Sequence, residues 1–246
     1  SFFCLITGDN YWIISLYFSL VSFAGSWMLV KTIHRNIENA ALPAIISFLF
    51  FPSVVFWTAG LIKESLAAAG LFFLSSFFLN IWFNEKVKSY SWVISVIATW
   101  VLWSIKYYFA AVFFSVGVAS LIFKFMAIRH VKPKIFLTDV TSWLLIFLLM
   151  LGLASFLHPN FYPARFLNVI FENYHAYETI SEPHDQIHFY LPAPTFFNVL
   201  INVPWAVISG LFRPFIWEAD HVLQMLVALE NILLVVCLLF ASGDLW

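Results

Sequence analysis

Long apolar runs, interrupted by short polar or basic breaks, organise this chain. A helix satisfies its own backbone groups at about 1.5 Å rise per residue, so about 20 apolar residues cross the hydrocarbon of a bilayer. Residues 11–30 meet that length and end in KTIHR, with Lys31 and Arg35 as a basic flank. Residues 42–83 are apolar except at Lys63 and Glu64, which predicts two helices with a break near 56–60. Residues 90–123 repeat the pattern with Lys106 as the only charge. Both runs read as helical hairpins whose turns carry ionisable groups. A further span is expected over 136–157, then a polar loop over 158–195, a short segment over 196–212 broken by Pro204, and a last helix from Val222. The predicted fold is therefore all-α: a polytopic bundle of about seven or eight membrane segments, one of them broken or re-entrant, in a single membrane domain over 1–246.

Composition agrees, with 63% apolar, 20% aromatic and 10% charged residues, far from the soluble average. A formal charge of -1 argues against a nucleic-acid partner, because no basic face is expected to neutralise a phosphate backbone. Eight of the twelve basic residues fall in the KTIHR, NEKVKS and KFMAIRHVKPK flanks, which the positive-inside rule assigns to the cytoplasm. Lys63 and Lys106 then belong to the opposite surface, and 158–195 is an extracytoplasmic loop. Cys4 and Cys237 have no metal-ligand spacing and read as packing residues. The sequence opens on SFFCLI without a methionine, so it is expected to be part of a longer chain.

Charge placed in lipid costs about 2.5–3.5 kcal/mol on insertion scales, so intramembrane ions usually face protein or water. Lys63 and Glu64 either cap a turn at the membrane surface, Glu64 being favoured at a helix N-terminus by the dipole, or open a polar pocket. In the pocket Lys63 binds an anion and Glu64 orients it or accepts a proton. Lys106 in WSIKYYF either snorkels as an anchor or joins Lys63 on one anionic ligand. In RPFIWE, Arg213 offers a planar fork for phosphate or carboxylate, with Glu218 five residues on; the plain alternative is contact with lipid head groups. Trp57 and Trp217 stand beside these polar breaks and suit either a sugar face or interface anchoring. Arg165 is the sole arginine of the external loop. His184 and His188, flanking Asp185, have a spacing that metal ligands can use, but Pro183 makes a solvated loop the better reading. No metal and no cofactor are expected.

FPSVVFWTAGLIKESL, WSIKYYFAAVFF and LFRPFIWEADHVLQMLVALEN together resemble bacterial polytopic membrane proteins of polysaccharide-biosynthesis loci. These are similar to O-antigen or exopolysaccharide polymerases and to lipid-linked-sugar glycosyltransferases. The resemblance implies an enzyme of the cytoplasmic (inner) membrane acting on undecaprenyl-diphosphate-linked oligosaccharide at its outer face. It further implies Lys63, Lys106 and Arg213 as diphosphate-binding cations and Glu64 or Glu218 as the base, with Arg165 as a further substrate-binding residue. The external loop departs from the pattern, having one arginine where polymerases often have several. The competing expectation is a non-enzymatic membrane subunit, either a transport component for lipid-linked glycan or a structural partner of other membrane subunits.

Overall fold

The computed structural model describes residues 10–129, 136–181, 186–190 and 193–243, and the described residues fold into nine α-helices, one π-helical turn and two short 3-10 turns. Four helices are long and apolar enough to cross a membrane: Tyr11–Asn36, Lys63–Trp82, Ser89–Met126 and Val222–Ala241, with a bent pair over 41–58 as a fifth. The protein is a multi-pass membrane protein on length and composition. Two compact units divide the chain, Ser1–Ser155 and Phe156–Trp246.

In the first unit, α1 (Tyr11–Asn36) starts at Asn10, whose side-chain oxygen accepts from the Trp12 and Ile13 amides at 3.1 and 3.4 Å, as N-cap residues do. Then come α2 (Ala41–Ile45), a π turn (Ile46–Phe50) and α3 (Pro52–Thr58), with a 50° bend at Phe51. The interrupted segment expected at Pro204 lies here instead. Proline tolerates the first turn of a helix because its missing N–H would be unsatisfied there, so Pro52 starts α3 and ends the run before it.

α4 (Lys63–Trp82) runs parallel to α1. Ser22 donates to the Ser65 carbonyl at 2.6 Å, the Thr32 and Ser76 hydroxyls meet at 2.7 Å, and Arg35 donates to Asn80. The separation along the chain grows only from 43 to 45 residues across those pairs, so the two helices stay side by side along their length. Small residues allow the approach, since a Cβ on Gly25 would stand 3.1 Å from the Ala69 carbonyl oxygen. Close packing of small residues with hydroxyl bonds between helices is how membrane helices associate without a hydrophobic driving force.

α5 (Ser89–Arg129) consists of two helical arms that meet at a kink, where Lys106 is non-helical with φ -141° and ψ 68°. Trp92 packs on Phe77 with ring centroids 4.8 Å apart, and Gly117 lies against the Phe78 ring. Twenty-five residues of straight helix would separate Trp92 from Gly117 by about 37 Å, yet they meet neighbouring residues of α4. The helix therefore folds back at Lys106 into two arms, and both pack on α4. The first arm crosses at Gly70, next to Ala98 and Leu102. The second ends where Lys124 donates to the Trp82 carbonyl. α6 (Phe136–Ala154) joins the second arm through Trp143 Nε1, which donates to Ser120 Oγ at 3.1 Å.

In the second unit, α7 (Pro163–Ile180) is amphipathic and occupies much of the expected polar loop. An extended stretch over 186–190 is tied to α8 (Phe196–Phe212), because Asn202 exchanges two hydrogen bonds with the Tyr190 backbone, at 3.0 and 2.9 Å. α8 is not broken at Pro204 but runs through it. Proline forfeits one backbone bond and the neighbouring turns keep theirs. α9 (Val222–Gly243) closes the chain, with Cys237 exposed on it rather than packed inside; Cys4 lies outside the described residues.

Candidate functional site

The site in the first unit is built where α3 ends and α4 begins. Gly60 has φ +89°, a conformation that favours glycine, and its amide donates to Ser19 Oγ at 3.0 Å. Ser65, fully buried, donates to the carbonyls of Ile62 at 2.8 Å and Gly60 at 3.2 Å. This hydroxyl network fixes the turn against α1. Lys63 is then the first residue of α4 and is exposed, and Glu64 stands in its first turn.

Lys106, at the fold of α5, comes to the same place: its Nζ lies 3.3 Å from Glu64 Oε1, with the side chains 19% and 32% exposed. The ammonium also sits 5.7 Å from the Tyr108 ring and 5.9 Å from the Phe109 ring, within reach of their negative faces. Of the three ions expected at this end, the fold brings Glu64 and Lys106 into contact and sets Lys63 next to Glu64 along the chain. Trp57 is about half exposed on α3, with Phe56 edge-on at 5.2 Å.

The opposite end of the bundle gathers the basic flanks. Arg35 lies 4.0 Å from Glu85 besides its bond to Asn80, and Lys124 reaches Asn84 at 3.4 Å. Lys31 covers the Trp27 ring at 5.3 Å and Lys88 the Tyr90 ring at 5.8 Å. Cations beside aromatic rings at a span's end are interface anchors.

A second candidate constellation stands on its own in the second unit. Arg213 Nε donates to Glu218 Oε2 at 2.8 Å, and the Phe215 amide donates to the same oxygen at 3.1 Å. The hydrogen bond from Arg213 holds the Glu218 carboxyl below the ordinary glutamate value, outweighing the opposing effect of partial burial. Trp217 is 77% exposed and stacks on Phe215 at 4.8 Å. Arg165 is exposed at the start of α7. His184 and Asp185 lie outside the described residues; His188 is exposed, and no cluster of metal-ligating side chains occurs among the described residues.

Two features were not singled out by the sequence. One is a cavity of about 510 Å³ in the second unit, with Tyr174, Tyr177, Glu178, Gln186 and Asn202 among its walls. The other is a cleft of about 590 Å³ between the arms of α5, floored by Phe77, Phe78 and Ile81. Its aromatic residues come from three separate stretches, and no periodicity in one stretch announces that they meet. Comparison with family models, with curated proteins and with solved structures gives no match to this chain.

Proposed function

We propose that the protein binds undecaprenyl-diphosphate-linked oligosaccharide at the outer face of the cytoplasmic membrane and transfers or polymerises it. The observation that supports this reading best is the Glu64–Lys106 ion pair, 3.3 Å apart at the fold of an apolar hairpin and at the end of the bundle away from the basic flanks. In this reading eight segments cross or enter the membrane: α1, the bent α2–α3 pair, α4, the two arms of α5, α6, α8 and α9. Lys106 has three donors and spends at least one on Glu64, so a diphosphate can complete its shell, with the exposed Lys63 as a second cation. Departure of a lipid diphosphate develops negative charge, and fixed cations in a partly dry site stabilise that charge more in the transition state than in the ground state. Glu64, held by Lys106, is the candidate base for the acceptor hydroxyl. In the second unit Arg213 and Glu218 are a separate candidate cation and carboxylate, with Trp217 as a sugar-facing surface and Arg165 as a loop contact of that unit, and Trp57 is a sugar-facing surface of the first unit.

A second reading is a non-enzymatic membrane subunit, a transport component or a structural partner. It is favoured by the fact that each candidate base is already bonded to a candidate cation, Glu64 to Lys106 and Glu218 to Arg213. Such pairs also serve as interhelical fasteners. Variants Lys63→Ala, Glu64→Gln, Lys106→Ala and Arg213→Ala, reconstituted in membranes, separate the two. A charge-assisted hydrogen bond is worth about 1.5–3 kcal/mol, so losing one should weaken polyprenyl-diphosphate binding about tenfold or more. Glycan extension should fall with it while insertion stays normal. Unchanged extension with loss of a co-purifying subunit would favour the second reading.

A further inference from the structure

The cavity of about 510 Å³ in the second unit is lined by α7, α8 and the extended stretch over 186–190. Of the twelve described residues on its wall, nine are half-buried, and Tyr177, Val203 and Ala206 form an exposed rim. None of the twelve is a lysine or an arginine, and Glu178 is the one acidic side chain among them.

Hydrogen bonding within the walls decides the charge of the ligand. Gln186 Nε2 donates to the carbonyls of Glu178 and Ser181 at 2.9 and 3.2 Å. Asn202 Nδ2 donates to those of Tyr190 and Asn198 at 2.9 and 2.7 Å. A side-chain amide has two N–H donors, so both amides are used up, and the side-chain donors left for an anion are hydroxyls. A cation is met differently. The Glu178 carboxylate has about four lone-pair sites, and His175 Nδ1, 3.0 Å from Oε2, takes at most one. α7 ends at Ile180 with no basic residue in its last turn, so the partial negative charge of its C-terminus is not offset there. Tyr174 and Phe189 set their rings 5.6 Å apart at 66°, as two sides of a corner, and Tyr177 adds a third ring on the rim. The faces of such rings attract ammonium groups.

The remaining wall is largely aliphatic. Val199, Val203 and Ala206 follow one another on a single face of α8, with Ile170 and Ile187 also on the wall. The volume lies within the range of small-molecule sites, about 300–1,000 Å³. We infer that this cavity binds an organic cation, its ammonium group held by Glu178 and the aromatic rings and its apolar body by the aliphatic wall. The inference does not rest on the Glu64–Lys106 pair. The ammonium can arrive on a soluble amine or on an aminophospholipid head group, and the test separates the two.

Tritiated trimethyl(3-phenylpropyl)ammonium is titrated onto the protein in dodecyl maltoside micelles, which carry no ammonium. Binding should be saturable. The uncharged isostere with carbon in place of nitrogen, and the sulfonate of the same body, should each displace the probe at least tenfold less well than the unlabelled cation. Glu178→Gln, which keeps the shape and removes the charge, should weaken binding about tenfold. Tyr177→Leu should weaken it about twofold to fivefold, and Val203→Trp, which fills the cavity from α8, should abolish it. All three should keep the helical circular-dichroism signal of the parent. Displacement by phosphatidylethanolamine but not by phosphatidylglycerol supports the inference with a lipid head group as occupant, and displacement by neither supports it with a soluble amine. No saturable binding, equal displacement by the isostere or the sulfonate, or parent-like binding in Glu178→Gln or Val203→Trp would overturn it.

Discussion

Replacing glycines by alanine along the bundle should change stability in a graded way that the α1–α4–α5 packing sets. A glycine-to-alanine change in a helix gains about 0.8–1.0 kcal/mol in intrinsic preference where nothing opposes it. Gly152, on α6, has no atom within 4 Å of a new Cβ, so Gly152→Ala should realise most of that gain. At Gly25 the same methyl would stand 3.1 Å from the Ala69 carbonyl oxygen and 3.3 Å from Phe72 Cβ, where carbon contacts prefer about 3.5–4.0 Å. The first neighbour is backbone and cannot swing away, so the usual overpacking cost of about 1–3 kcal/mol applies. Gly25→Ala should come out between neutral and about 2 kcal/mol destabilising after the gain in helix preference is subtracted. Gly70, with the Ala98 carbonyl oxygen at 3.3 Å and Leu102 Cβ at 3.4 Å, should fall between. Unfolding by sodium dodecyl sulfate from mild micelles, followed by circular dichroism, gives the three midpoints. If Gly25→Ala raises the midpoint as much as Gly152→Ala, the close α1–α4 crossing is wrong.

Three further outcomes follow from other parts of the molecule. The Glu218 carboxyl is held below its ordinary value of 4.5 by Arg213, so its contribution to stability is present above the unfolded value and is lost as pH falls through the folded one. Glu218→Gln should destabilise the protein at neutral pH, and the difference from the parent should vanish on acidification well below pH 4.5, read by tryptophan fluorescence during denaturation. Asn202→Ala removes both bonds to the Tyr190 backbone; at about 1 kcal/mol each, hydrogen exchange of residues 186–190 should speed up by up to about thirtyfold, while exchange in α4 stays as it was. In a cysteine-free background, Lys63→Cys should react with a membrane-impermeant maleimide added to intact cells, and Lys88→Cys should react only after lysis. The reverse pattern would invert the bundle.

Much of the first unit was legible because charge is costly in lipid and marks where helices end. The 42–83 run broke as expected, a few residues late, at 59–62, where Gly60 supplies the left-handed turn and Lys63 and Glu64 follow. Lys106 was legible as a turn for the same reason: a run over 90–123 is too long for one crossing and holds one charge. The contact between Lys106 and Glu64 was not legible, because it depends on both α5 arms packing against α4 through Gly70 and Gly117. Pro204 misled, since proline's local cost reads as a break whereas an apolar helix carries it. The bend appeared at Phe51 and Pro52, where Pro52 is the only sequence signal of it in an otherwise apolar stretch. In the polar loop the FENYHAYETI segment was visible as helical, but its start at Pro163, eight residues earlier, was not.

The Glu64–Lys106 contact on which the proposed function rests requires α5 to fold back at Lys106, and a spin–spin distance measurement addresses that fold directly. With nitroxides at Tyr90→Cys and Phe125→Cys in a cysteine-free protein, a straight helix would separate the labels by about 52 Å. Two arms packed on α4 at about 8–10 Å between axes put them about 20 Å apart. A distribution centred near the shorter value is the predicted result, and one near the longer value would leave Lys106 in mid-helix, away from Glu64.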